Sequence, residues 1–142
     1  MRTTPSAESS SGRHPAYHRL KADMIAAVEH LRASDFNFSP PPFPIAGFSY
    51  YDGDAALPEL LPGTALTLRA QPNNPHDPNA VEILHGGWKL GYIPRFCNRR
   101  VSQLLNDATP LTCEIARISA DAQPWDAVAV RVFVSHPQLL AA

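Results

Sequence analysis

Ala80-Val81-Glu82-Ile83-Leu84-His85-Gly86-Gly87-Trp88-Lys89-Leu90-Gly91-Tyr92-Ile93 reads as two strands, Ala80 to Leu84 and Trp88 to Ile93, joined by a tight connection at His85-Gly86-Gly87. Apolar and β-branched residues flanking a Gly-Gly pair form a hairpin pattern, because a two-residue loop needs a positive φ that glycine adopts without strain. Working outward, Thr64 to Arg69 alternates, with Ala65, Thr67 and Arg69 opposing Leu66 and Leu68. Ile45 to Tyr51 is rich in aromatic and apolar residues and reads as the first strand, closed by a turn at Asp52-Gly53-Asp54. Thr112 to Ile118 and Val128 to Val134 finish the set, joined by a loop holding Pro124 and Trp125. About six short strands with two short helices predict a mainly β protein built as a small, partly open barrel.

The first short helix is expected from Asp54, as its cap, through Leu61. Its apolar face is Ala56, Leu57, Leu60 and Leu61, and Pro62-Gly63 stops it. Pro94 opens the second, which runs to about Asn106. Cys97, Val101, Leu104 and Leu105 face inward there, and Arg95, Arg99 and Gln103 face solvent. Ahead of the barrel, Tyr17 to Ala33 reads as a third helix, with Tyr17, Leu20, Met24, Ala27, Val28 and Leu31 on one face. Pro40-Pro41-Pro42 then makes a stiff linker. The expected layout is a disordered tail over 1–15, an amphipathic helix and Pro-rich linker over 16–42, the barrel domain over 43–136, and a tail over 137–142.

Composition narrows the function classes. A formal net charge of -1 excludes a strongly basic nucleic-acid coat, so any such binding must rest on a local patch or pocket. The two cysteines, Cys97 and Cys113, form no CxxC pair and have no histidines spaced around them as a zinc site requires; they read as packed thiols. No signal peptide is recognisable, and no apolar run approaches the roughly 18 residues that span a bilayer. A soluble, cytoplasmic protein without membrane contact is expected. The chain contains no Walker motif and no acidic nuclease cluster. His76-Asp77 has no nucleophile tied to it, and Asp52 and Asp54 fit a capping turn better than a metal pair. Neither enzymatic activity, cofactor nor metal is expected.

Four stretches could carry binding. In Pro72-Asn73-Asn74-Pro75-His76-Asp77-Pro78-Asn79 the prolines hold the backbone while polar groups point outward, though the same residues make plain turns. Tyr50 and Tyr51, adjacent on a strand, would point to opposite faces, one packed and one displayed as a stacking platform; both could equally edge the core. Gly91-Tyr92-Ile93-Pro94-Arg95 leads into the second helix. Arg95 in a first turn opposes the helix dipole, unless an anion binds there or the face is simply solvated. Trp125 is a barrel plug or a second stacking surface.

Together these segments resemble the HIRAN domain family. The resemblance rests on Ile45-Ala46-Gly47-Phe48-Ser49-Tyr50-Tyr51, Pro62-Gly63 with Leu66-Thr67-Leu68-Arg69, Pro72 through Val81, and Lys89-Leu90-Gly91-Tyr92-Ile93-Pro94. It implies an oligonucleotide-binding-like (OB-like) barrel that captures the 3′-hydroxyl end of single-stranded DNA, in DNA repair or replication-fork processing, in a short stand-alone bacterial form that is nucleoid-associated when bound to DNA. By resemblance, Asp77 accepts a hydrogen bond from the terminal hydroxyl and Tyr50 contacts the terminal nucleotide. Asn73 and Asn74 lie beside it, Tyr92 and Arg95 contact base and phosphate, and Trp125 stacks on a base. Tyr51 and His76 complete the expected site. Two positions depart from the family pattern: Ser49 stands in place of an arginine, and His76 in place of a tyrosine, which would make binding depend on pH near neutrality. The competing reading is a protein-interaction or structural module. In it the helix over 17–33 docks on a protein partner or on a second copy of the chain, or else covers its own barrel.

Overall fold

The computed structural model describes Ala22, Ile25, Ala26, Val28, Leu31 and residues 41–119 and 127–135. Six antiparallel strands are present: β1 (Phe43–Pro44), β2 (Ala65–Ala70), β3 (Val81–His85), β4 (Trp88–Tyr92), β5 (Leu111–Ile118) and β6 (Val128–Val134). They form one sheet in the order β1-β6-β5-β2-β3-β4. The chain leaving β1 then crosses to the far edge. Ala46 and Tyr92 exchange two backbone hydrogen bonds of 2.9 Å, so the segment following β1 pairs with the end of β4 and the sheet curls into a partly open barrel.

Gly91 permits this closure. Its φ is 146°, and a Cβ there would stand 2.3 Å from the Ala46 carbonyl oxygen and 2.7 Å from Ile45 Cγ2. The Gly86-Gly87 connection forms as expected, with His85 paired to Trp88 and Gly86 at φ 58°. One residue further along, the register slips: Ile83 pairs with Gly91 and Leu84 with Lys89. The extra residue, Leu90, is buried in the core, so the bulge adds an apolar side chain and bends β4 toward closure.

Inside the barrel, Phe43, Ile45, Phe48, Val81, Ile83, Leu90, Ile93, Ile115 and Val130 form one cluster with Val101 of the helix that caps it. Val28 joins that cluster, and Leu31 packs on Leu104 and Val134. The carbonyl of Leu31 also accepts a 2.6 Å hydrogen bond from Arg100 Nε. Two apolar positions of the expected N-terminal stripe are therefore buried against the chain's own barrel. Ala22, Ile25 and Ala26 are helical there as well, with Ala22 and Ala26 exposed; the other residues of that helix, both expected tails and Trp125 lie outside the described residues. Cys97 and Cys113 are buried, unbridged thiols, and burial, then the neighbouring Glu114, pushes Cys113 up to about 12. Among the described residues no helix is long and apolar enough to cross a membrane.

Three expectations need correction. Ile45 to Tyr51 is not a strand: Gly47, at φ 77°, turns the chain, and the Gly47 carbonyl accepts from the amides of Tyr50 and Tyr51. Apolar content misled there because Phe48 is buried from within a turn. No single helix runs from Asp54 to Leu61. A short α1 (Gly53–Ala56) gives way to a 3₁₀ turn (Leu57–Glu59) at Pro58, and Asp54 caps neither. Instead the Asp52 carboxylate accepts the Lys89 amide at 2.9 Å, tying α1 to β4. The last helix, α2 (Asn98–Asn106), starts later than Pro94, because Pro94 to Cys97 closes a turn of its own through Cys97 N–H to Pro94 O. Arg95 is thus in that turn and not in a helical first turn, and the dipole argument for it lapses.

Candidate functional site

The 71–79 loop owes its shape to two side chains. Asn74 Oδ1 accepts from the amides of His76, at 2.8 Å, and Asp77, at 3.1 Å. Asp77 Oδ1 in turn accepts from the Asn79 amide at 2.9 Å. These are the local side-chain-to-backbone bonds that Asn and Asp make in turns. Asn74 therefore does not point outward as expected; its acceptor is committed to the loop, and its Nδ2 donates to Gln71 Oε1 at 3.0 Å.

Opposite the loop stands an aromatic wall. Tyr92 donates its hydroxyl hydrogen to Gln71 Oε1 at 2.9 Å and accepts from Lys89 Nζ at 2.8 Å. The Lys89 ammonium sits 4.3 Å from the Tyr51 ring centre and 4.5 Å from that of Tyr92, a cation–π arrangement that fixes both rings. Glu82, 4% exposed, anchors the ammonium at 3.3 Å and holds Arg69 at 2.7 Å. Burial opposes the charge on Lys89, but the hydrogen bonds to Tyr92 and Glu82 outweigh it, and its pKa is raised. Tyr51 is also raised, first by burial and against the pull of Lys89. Tyr50, 83% exposed, meets Tyr51 edge-on at 4.9 Å.

Between wall and loop lies a cavity of about 420 Å³ lined by Ala46, Gly47, Tyr50, Tyr51, Asn74, His76, Asp77, Ala80, Tyr92, Ile93, Arg95 and Asn98. A second, of about 360 Å³, continues past Asp77 and adds Asn79, Phe96 and Arg99. Asp77 is at their junction, its side chain 17% exposed. Its Oδ2 accepts from Asn98 Nδ2 at 2.8 Å and faces Arg95 Nε at 3.6 Å. Arg95, largely exposed, also donates to the His76 carbonyl at 3.1 Å.

Of the residues expected from sequence, Tyr50, Tyr51, Asn74, His76, Asp77, Tyr92 and Arg95 line the first cavity. Asn73 is exposed and not in its wall. Trp125 lies outside the described residues. The tyrosines do divide into one displayed and one half-buried, but through a turn and not by strand alternation. Sequence reasoning missed Asn98, Gln71 and Glu82. The helix drawn from Pro94 singled out Arg95, Arg99 and Gln103 among its polar residues and passed over Asn98, which the later start makes the first helical residue, bonded to Asp77. Glu82 sits inside an apolar strand, and that misfit was the available signal.

Comparison with known proteins places the chain in a family. The HIRAN domain family model matches residues 42–137. A curated rice (Oryza sativa subsp. japonica) protein, Fanconi-associated nuclease 1 homolog, is 32% identical over 78 residues, which are 52% of this chain and only 8% of that protein. A crystal structure of a Lactobacillus plantarum protein superposes with a TM-score of 0.58 at 25% identity, covering 69% of this chain and 95% of that one. The human HLTF HIRAN domain gives a TM-score of 0.48 at 15% identity, over 71% of this chain and 80% of that one. Mainly β, curled into a partly open OB-like barrel and matched by the family model over most of its length, the chain belongs to the HIRAN domain family.

Proposed function

We propose that the tyrosine-walled cleft binds the 3′-hydroxyl end of single-stranded DNA, as a binding module that does no chemistry of its own. The observation that carries this reading is the Asp77 carboxylate at the junction of the two cavities. An ionised carboxylate offers about four acceptor positions. Asn79 N and Asn98 Nδ2 occupy one each and Arg95 stands at 3.6 Å, so capacity remains for a hydroxyl donor. A 3′-phosphate would meet like charge at the same place. The exposed Tyr50 ring offers a base-stacking face that any base can use. Arg95 and Arg99 flank the second cavity, where the strand's phosphates would run. Ser49 contributes no cation; its hydroxyl donates to Asp54 at 3.4 Å.

Family membership and the nuclease name of the rice relative support a nucleic-acid ligand, and a role in repair or fork processing follows from the same reading. Such a protein would work in the cytoplasm, at the nucleoid. The interaction-module reading loses ground, because Val28 and Leu31 are already packed on the barrel.

Fluorescence anisotropy with short labelled strands at about 50 mM salt, where phosphate contacts are little screened, tests the proposal. A 3′-hydroxyl strand should bind about tenfold more tightly than its 3′-phosphate twin, a difference near 1.4 kcal/mol. Asp77→Ala should erase that preference. Equal binding of the two ends by the wild-type protein would rule out end capture.

A further inference from the structure

We infer that the cleft reads the terminal sugar as a vicinal diol, so that a strand ending in a ribonucleotide binds more tightly than one ending in a deoxyribonucleotide, and that Asn98 makes the distinction. This inference rests on the end-capture reading above and deepens it.

Asn98 is the first residue of α2 and only 4% exposed, yet it lines both cavities beside Asp77. Its orientation is fixed by chemistry. An ionised carboxylate only accepts, so the end of the amide lying 2.8 Å from Asp77 Oδ2 must be the NH₂. The amide oxygen is then the other end of the same planar group, and among the described residues it accepts no hydrogen bond. Buried amide oxygens rarely lack a partner, and leaving one unmade is costly. Arg95, which lines the same two cavities, is engaged with Asp77 and the His76 carbonyl.

The junction therefore presents two neighbouring acceptors, a carboxylate oxygen and an amide oxygen. A deoxyribose end carries one hydroxyl to offer them. A ribose end carries two on adjacent carbons, and the 2′-hydroxyl can donate. With the 3′-hydroxyl on Asp77, the neighbouring hydroxyl is the group that reaches Asn98.

The test uses wild-type protein and DNA strands identical except for the last sugar: deoxyribose, ribose, or 2′-fluoro, which removes the donor with little added bulk. One net hydrogen bond corresponds to about a two- to tenfold gain in affinity for the ribose end, and the 2′-fluoro end should fall back to the deoxyribose value. Asn98→Ala should bind ribose and deoxyribose ends equally. Equal ribose and deoxyribose binding by the wild type, with 3′-phosphate still rejected, overturns this inference and leaves end capture standing. No preference for any 3′-hydroxyl end overturns both. A ribose preference that survives in Asn98→Ala overturns the assignment to Asn98. Should that variant fail to fold, the ribose against 2′-fluoro comparison on the wild type still decides for or against the diol.

Discussion

Gly91 shows how much one missing side chain can control. Its φ of 146° lies where L-residues are strained, and the space a Cβ would take is occupied by the Ala46 carbonyl. That carbonyl is the acceptor of the closing hydrogen bond from Tyr92, whose ring forms part of the cleft wall. Gly91→Ala should therefore destabilise the protein by about 2–4 kcal/mol, the sum of backbone strain and overpacking, and weaken ligand binding with it. Gly87→Ala is the matched control, because nothing lies within 4 Å of a Cβ there and its φ is not in the left-handed region. It should change stability by no more than about 0.5 kcal/mol. Urea midpoints of the two variants make the comparison, and equal midpoints would refute this account of closure.

The 71–79 loop is built from within, and its two asparagines separate structure from display. Asn74→Ala removes the acceptor of two backbone amides and should cost about 1–2 kcal/mol while loosening Asp77; Asn73→Ala should be near neutral in both stability and binding. Thermal melts with binding titrations on both variants check this. The strands around the loop were legible in the sequence because each obeys a local rule: alternation in β2, Gly-Gly chemistry between β3 and β4, β-branched runs in β5 and β6. Each came within a residue or so of its place. The segment 45–51 was not legible, because its apolar residues serve a turn: Phe48 is buried while Gly47 reverses the chain. The same limit hid Asn98 and Gln71. Their partners, Asp77 and Tyr92, are 21 residues away along the chain, and only the closed barrel brings them together. Periodicity records which face of an element is buried, and holds no information about partners that distant.

Across the whole molecule, the turn after β1, the loop before β3, the end of β4 and the start of α2 converge where the two ends of the sheet meet. Closing the barrel and assembling the cleft are thus one event, and the titratable groups that closure buries in the core and at the cleft report on folding. Burial holds the Cys113 thiol at about 12 against an ordinary 9.0. Tyr51 is raised by burial, and Lys89 is raised because its bonds to Tyr92 and Glu82 outweigh its own burial. In all three the folded state holds its proton more tightly than the unfolded state. Their contribution is therefore complete below the unfolded values, near pH 9 for the thiol, and is lost as pH rises through the folded ones. For Cys113 alone the loss by pH 12 is on the order of 4 kcal/mol, a large part of the roughly 5–15 kcal/mol that stabilises a domain. The thermal midpoint should hold level from about pH 7 to 9 and then fall steeply toward pH 12. Cys113→Val, which keeps an apolar side chain of similar size and removes the proton, should make that fall shallower, leaving the part due to Tyr51 and Lys89. A fall that begins well below pH 9, or one that Cys113→Val leaves unchanged, would mean that the buried thiol does not set the alkaline limit.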